Sequence, residues 1–235
     1  MKRLLDIVLM GIFVLSVAAL FLAHEDNFAR RAVCVHTGIC PLIPNAKAWN
    51  KIVYDLAVGA LVTLFVYLLV VRLPDYLRRR RLKRNLKWHY RAFREDCIQI
   101  MLLVADGAYS GDLREALLEQ DRFRAYFEEK VVPDCDRWHE FQNKLDERSL
   151  RELLTRMEMF RDEVAFILNN TDISNDEPFE FLRTLSATIY SMKDVTLGHD
   201  EPKLLARFLW TVFAGWDLIT GYRKKDIVKK MIDAI

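Results

Sequence analysis

Two long apolar runs near the start of the chain constrain its fold more than any other feature. Neither residues 7–23 nor residues 56–71 contain an Asp, Glu, Lys or Arg. With their flanking residues the runs extend over about 4–23 and 52–73, and a helix of about 20 residues spans the hydrocarbon layer of a bilayer. Both runs are apolar on every face, which is typical of helices in lipid. We therefore expect two transmembrane helices.

The basic residues after the second run predict the orientation of both helices. Residues 74–94 contain nine Lys or Arg and one acidic residue, Asp75. The positive-inside rule places this segment in the cytoplasm, so the N-terminus is also cytoplasmic and residues 24–51 form an outer loop. The sequence predicts a two-pass protein of a bacterial inner membrane, with lipid as one partner of the basic segment. The candidate headgroup contacts are Arg78, Arg79, Arg80, Arg81 and Lys83.

The first apolar run also fits a cleaved signal peptide. A short basic start followed by an apolar stretch describes both kinds of segment, and Val17, Ala18 and Ala19 offer small side chains at a cleavage point. Cleavage there would leave the bulky apolar residues 20–22 at the new terminus. Either outcome leaves the second span and the cytoplasmic location of the remaining chain unchanged.

The four cysteines are divided between the two sides of the predicted membrane. Cys34 and Cys40 lie in the outer loop, whereas Cys97 and Cys135 follow the second span. An oxidising exterior favours a disulfide between Cys34 and Cys40. One alternative is a metal site that also used His36 and His24, but its spacing differs from the common two-residue cysteine knuckle and no fourth ligand is obvious. The other is a pair of free or independently packed cysteines. We predict a disulfide, no metal site and no cofactor.

Charge divides the chain into three parts. Residues 1–73 carry a net charge of +3 and residues 74–94 carry +8, so the total of +2 leaves −9 for residues 95–235. These parts correspond to a membrane hairpin, a basic juxtamembrane helix start and an acidic cytoplasmic domain. Nucleic-acid binding domains normally have a basic surface because they neutralise phosphates. A nucleic-acid partner is therefore not expected.

The periodicity of the cytoplasmic part is helical almost throughout. No stretch of alternating β-branched residues predicts a sheet, so we expect an all-α fold: two transmembrane helices followed by an antiparallel bundle of about five to seven helices. Ser149 and Glu152 have the spacing of a capping box, which predicts a new helix near residue 149. The predicted helices cover about 74–106, 112–130, two helices or one kinked helix within 134–169, then 179–193, 203–220 and a basic amphipathic C-terminal segment.

One apolar stripe has two interpretations. Its members are separated alternately by three and four residues, which places them on one face of a helix. This face is either a seam with another subunit, and hence an interaction surface, or part of the core of the bundle. The stripe consists of Leu150, Leu153, Met157, Phe160, Val164 and Ile167.

A short motif resembles the active site of HEPN ribonucleases. Arg84, Asn85 and His89 match the Arg-polar-x-x-x-His pattern of these all-α, usually dimeric enzymes. The resemblance covers six residues, and it implies RNA cleavage in which the histidine moves a proton and the arginine stabilises the charged phosphorane. In HEPN domains the motif tends to occur late in the bundle, whereas here it occurs at its start.

Other catalytic motifs are missing from the sequence. It contains no phosphate-binding glycine loop, no nucleophile elbow and no paired histidines at helical spacing. We therefore expect a noncatalytic, membrane-anchored scaffold, signalling adaptor or assembly factor that binds a protein partner or its own copies. A membrane-tethered HEPN-like ribonuclease and a subunit of an oligomeric channel are the alternatives.

Overall fold

The fold is mostly helical, which confirms the all-α class. The chain divides into two compact units, residues 1–78 and residues 79–235. Strands in the described part form two short antiparallel pairs that the sequence did not predict. The computed structural model describes residues 2–23, 46–171, 173, 175–198, 201–217, 219 and 221–235.

The first unit contains two apolar helices that pack against each other. They are α1 (Lys2–Ala23) and α2 (Ala46–Tyr67). Among the side chains described in these helices, Ser16 of α1 and Ala57 of α2 are buried, which is consistent with close approach of the two backbones. A π-helical segment, Leu68–Arg72, follows α2.

One helical stretch is long and apolar enough to cross a bilayer. The backbone is helical over Lys51–Asp106, and the most apolar 18 residues of this stretch have a mean hydropathy of 2.4 with 6% of them buried. The core helix of a soluble protein would be mostly buried instead. Within α1, the residues Ile7–Phe21 form a shorter apolar stretch.

The second unit is built from short and long helices joined by tight turns. Its first helix is α3 (Leu73–Asp106), of which residues 79–106 belong to this unit. The following helices are α4 (Gly111–Ala116), α5 (Gln120–Phe127), α6 (Arg137–Lys144), α7 (Glu147–Asn170), α8 (Asp176–Ser191), α9 (Glu201–Phe213) and α10 (Ile227–Asp233). The strand pairs are β1 (Lys130–Val132) with β2 (Cys135–Asp136), and β3 (Trp216–Asp217) with β4 (Gly221–Tyr222).

The described helices α3 to α10 number eight, which exceeds the predicted five to seven. The predicted helix over 112–130 is divided because Leu118 N and Glu119 N bond to carbonyls three residues back, at 3.2 Å each, and Leu117 turns into the core. The predicted helix over 203–220 ends at Phe213, since Gly215 adopts a φ of +71° and the chain turns into β3.

The predicted helix start near residue 149 lies close to the observed start of α7. The carboxylate of Asp146 accepts a hydrogen bond from Ser149 N at 2.8 Å and so caps the helix. Capping satisfies a backbone N–H that has no partner within the helix. The cap is therefore Asp146, not the expected Ser149.

Aromatic side chains connect the helices of the second unit through its core. Phe93 of α3 stacks on Phe160 of α7 with ring centroids 4.9 Å apart, and Phe213 of α9 lies 5.7 Å from Phe93. Phe123 of α5 lies 5.5 Å from Phe213. Each aromatic pair at these distances stabilises the fold by about 0.5–1.5 kcal/mol beyond the contribution of its buried surface. This core holds α3, α5, α7 and α9 together.

The apolar stripe of α7 belongs to the same core. Each of its six residues is at most 3% exposed. The stripe is therefore not available as a surface for another subunit, and its interpretation as an interaction surface is corrected. The physical reason is that α7 already packs these side chains against α3 and α8. The corrected residues are Leu150, Leu153, Met157, Phe160, Val164 and Ile167.

Candidate functional site

A cleft in the second unit lies between α3, the α4–α5 turn and α10. It consists of two adjoining cavities of about 580 and 480 Å³. Volumes of this size are typical of sites for small molecules. Five residues line both cavities: Arg94, Leu118, Glu119, Asp226 and Lys229.

A buried ion pair joins two sides of the cleft. Arg94 of α3 donates from Nη1 to Asp226 Oδ2 at 3.0 Å, and only 8% and 11% of the two side chains are exposed. Tyr90 donates from its hydroxyl to the same oxygen at 2.8 Å. Asp226 Oδ1 accepts a hydrogen bond from Lys229 N at 3.0 Å and thereby caps α10. Asp226 therefore fastens α10 to α3.

The remaining donors of Arg94 have no partner among the described residues. Its Nε and Nη2 are buried and make no hydrogen bond there, although buried donors are normally satisfied. The guanidinium carbon lies 5.6 Å from the ring centroid of Phe213 and 6.0 Å from that of Tyr90. Aromatic faces attract the cation without satisfying its N–H groups. Arg94 therefore lines the cleft and retains two buried N–H donors without a partner among the described residues.

Burial raises the pKa of Tyr90 well above its ordinary value of 10.0, and the positive charge of Arg94 partly opposes this increase. The folded state therefore favours the protonated phenol. The resulting stability is present below pH 10 and is lost as the pH rises through the raised pKa of the folded state.

We expect Tyr90→Phe to reduce the pH dependence of stability in alkaline solution. The variant should lose roughly 1.5–3 kcal/mol of unfolding free energy at pH 7, because the hydroxyl bonds to a carboxylate. Above pH 10 its stability should fall less steeply than that of the wild type. Denaturation midpoints measured from pH 7 to 11 test this, and parallel profiles for both proteins would contradict it.

The acidic residues around the cleft are paired with neighbouring bases. Three cleft lysines, Lys224, Lys225 and Lys229, make no ion pair with a described residue, so the cleft has a local excess of positive charge within an acidic domain. The acidic residues and their partners are Glu115 with Arg91, Glu119 with Arg122, Asp121 with Arg124, and Asp233 with Lys87.

The polar side chain of Gln120 is fixed by a hydrogen bond to α9. Its Nε2 donates to the carbonyl of Val212 at 3.1 Å, and its Oε1 is buried without a partner among the described residues. Gly215 allows this arrangement, because a Cβ added there would lie 2.8 Å from Gln120 Oε1. Its φ of +71° is also a conformation that favours glycine.

Replacing Gly215 with alanine should therefore destabilise the second unit. The left-handed backbone alone costs about 1–2 kcal/mol for a residue with a Cβ, and the side chain of Gln120 must also move. Gly111→Ala is the matched control, since its added Cβ would meet no atom within 4 Å and its φ is not positive. Equal thermal midpoints for the two variants would contradict the expected clash.

Two residues of the HEPN-like motif contact a carboxylate of α7. Asn85 Nδ2 donates to Glu163 Oε1 at 2.6 Å, and His89 Nε2 lies 3.7 Å from Glu163 Oε2. Arg84 is exposed and does not join this cluster, because a separation of five residues turns it about 140° around the helix from His89. The geometry makes the Glu163 cluster a contact between α3 and α7.

The other predicted site residues are partly described. Cys34 and Cys40 lie outside the described residues. Of the basic residues after the second run, Arg78, Arg80 and Arg81 are exposed, and Arg79 and Lys83 are half-buried. Lys83 Nζ donates to the backbone oxygen of Asp233. Within the described ranges, no group of three His, Cys, Asp or Glu side chains is placed to hold a metal ion.

No sequence motif pointed to Arg94, which lines both cavities of the cleft. Arg94 was counted only as one member of the basic segment. It nevertheless lies four residues after Tyr90 and three before Cys97, on the buried face of α3. An arginine on an apolar helical stripe is a signal that its guanidinium has a specific partner.

Comparison with known proteins adds no functional assignment. No family model matches the chain, and neither a curated protein nor a solved structure is significantly similar to it. Function is therefore inferred from the geometry and chemistry of the chain itself.

Proposed function

We propose that this protein is a noncatalytic adaptor or scaffold held at the cytoplasmic face of a bacterial inner membrane by two transmembrane helices. The main support is the helical stretch that starts at Lys51. Only 6% of its most apolar 18 residues are buried, and the basic segment 74–94 follows the apolar run directly. A helix with this much exposed apolar surface is stable when lipid surrounds it, and the Lys and Arg residues of 74–94 favour the cytoplasmic side.

Exposure of α1 supports a second span. Leu15 is 71% exposed and Ile7 is 70% exposed, although α1 packs along α2. Exposed apolar surface costs about 25 cal/mol per Å² in water, and this cost disappears in a bilayer. A two-helix hairpin in lipid gives both helices an apolar environment. It also returns the basic N-terminus to the side of residues 74–94.

The noncatalytic assignment rests on what the polar clusters do. Asp226 joins two helices and caps one of them, and Glu163 contacts Asn85 and His89 across two other helices. These contacts hold the domain together, and none of them presents an activated nucleophile beside a base. A helical domain of this kind supports binding of a protein partner or of a second copy.

Crosslinking in native membranes tests the adaptor function. We expect the full chain to give discrete crosslinked species, either its own dimer or higher oligomer or a complex with one defined protein. A two-pass membrane protein without a cytoplasmic domain, expressed at the same level, controls for random collision. Recovery of the single chain alone, at crosslinker doses that capture known complexes in the same membranes, would contradict the proposal.

Replacing His89 with alanine distinguishes the adaptor from a HEPN-like ribonuclease. We expect the purified wild type to leave single-stranded RNA intact and His89→Ala to change the unfolding free energy by less than about 1 kcal/mol, since the pair with Glu163 is partly exposed. His139→Ala is the control at another exposed ion pair. RNA cleavage by the wild type that is lost only in His89→Ala would identify a nuclease.

A further inference from the structure

We propose that the cleft between α3, the α4–α5 turn and α10 binds the dianionic phosphate group of a small phosphate monoester. The site lies within the second unit and does not depend on whether α1 and α2 cross a bilayer. Its central feature is Arg94, which is 6% exposed and lines both cavities of the cleft.

The two unpartnered nitrogens of Arg94 form one edge of its guanidinium group. Nη1 is engaged by Asp226, whereas Nε and Nη2 make no hydrogen bond to a described residue. In a guanidinium group the Nε–H bond and one N–H bond of Nη2 point in the same direction. This fork matches two oxygens of a phosphate or a carboxylate. Both nitrogens are closed off from solvent, so an anion reaches them only when the side chains that cover them move aside, and the contact is then strong because water is excluded.

The lysines of the cleft favour a ligand with two negative charges. Lys224, Lys225 and Lys229 have no ion-pair partner among the described residues, and the acidic side chains nearby are neutralised by other bases. A carboxylate supplies one charge and two oxygens. A phosphate monoester supplies up to two charges and three terminal oxygens, so it can use the Arg94 fork and a lysine at the same time.

The cleft is larger than a phosphate group and offers contacts to an organic part. Cavities of about 580 and 480 Å³ are within the range for small ligands. Leu118 is half-buried and provides apolar surface in both cavities. A soluble phosphorylated metabolite and the headgroup of phosphatidic acid share this chemistry.

The test uses the full chain in phosphatidylcholine nanodiscs. In the soluble arm, glycerol 3-phosphate is titrated by calorimetry. In the lipid arm, phosphatidic acid replaces part of the phosphatidylcholine, with phosphatidylglycerol as the control diester, and the thermal midpoint is measured. The double variant Lys225→Gln/Lys229→Gln removes two cleft charges while keeping the backbone cap of α10. Lys130→Gln/Lys193→Gln removes two exposed charges outside the cleft.

We expect saturable binding in one arm, weakened at least tenfold by Lys225→Gln/Lys229→Gln and unchanged by Lys130→Gln/Lys193→Gln. Binding of glycerol 3-phosphate identifies a soluble ligand, and a midpoint increase with phosphatidic acid alone identifies a lipid headgroup. Arg94→Lys keeps the charge and removes the fork, so it should also lose binding if its circular dichroism remains native. No binding in either arm, or binding that both double variants affect equally, would overturn the proposal.

Discussion

Replacing Asp226 with alanine should destabilise the second unit by about 3–5 kcal/mol, the usual cost of removing one partner from a buried ion pair. The variant leaves the guanidinium of Arg94 buried without its only described carboxylate partner. It also removes the acceptor of the Tyr90 hydroxyl and the side-chain cap of α10. A domain of this size is typically stable by only about 5–15 kcal/mol, so the change uses a large part of that margin.

Asp233→Ala is the matched control for this prediction. Asp233 lies seven residues later, at the end of α10, and lines the same cleft. In its ion pair with Lys87, however, the side chains of Lys87 and Asp233 are 43% and 44% exposed. Exposed pairs contribute about 0–1 kcal/mol. Urea denaturation of the full chain in detergent, followed by tryptophan fluorescence, measures both variants. Similar losses for Asp226→Ala and Asp233→Ala would show that burial of the Arg94 pair does not determine stability.

Val62→Arg should prevent insertion of α2 in most molecules. Val62 lies near the middle of the uncharged run 56–71 and is 56% exposed. An arginine at the centre of a transmembrane helix costs about 2.5–3.5 kcal/mol, which reduces the ratio of inserted to uninserted α2 by about 70- to 400-fold. If α1 still inserts with a cytoplasmic N-terminus, the chain after α1 then remains outside.

Reporters fused after Ile235 measure this change of topology. A reporter active only in the cytoplasm should lose most of its signal in Val62→Arg, and a reporter active only outside should gain it. Val62→Leu controls for substitution at the same position, and Val132→Arg adds the same charge at an exposed residue of β1. An unchanged topology in Val62→Arg would indicate that α2 is not a transmembrane helix.

Periodicity and capping predicted much of the helical domain. The alternation of three and four residues located α7 and its buried face, since one side of a helix in a globular domain must face the core. Local signals did not predict the break after Ala116, where the burial of Leu117 determines the turn. They also missed the end of α9, because Gly215 is required there by the close approach of Gln120 from a distant part of the chain.

The cleft was harder to predict than the fold because its residues come from distant segments. Arg94 and Asp226 are separated by 132 positions, and their pairing depends on how α10 packs on α3. The motif that sequence analysis selected, Arg84 with Asn85 and His89, is contiguous and therefore visible. These residues lie on different faces of α3, so that Asn85 and His89 contact Glu163 whereas Arg84 does not.

Extraction of native membranes with alkaline carbonate tests the central claim that lipid surrounds α1 and α2. We expect the intact chain to remain in the membrane pellet and a cytoplasmic reporter fused after Ile235 to be active. Release of the intact chain into the supernatant would contradict it, as would a C-terminal reporter that is active only outside the cell.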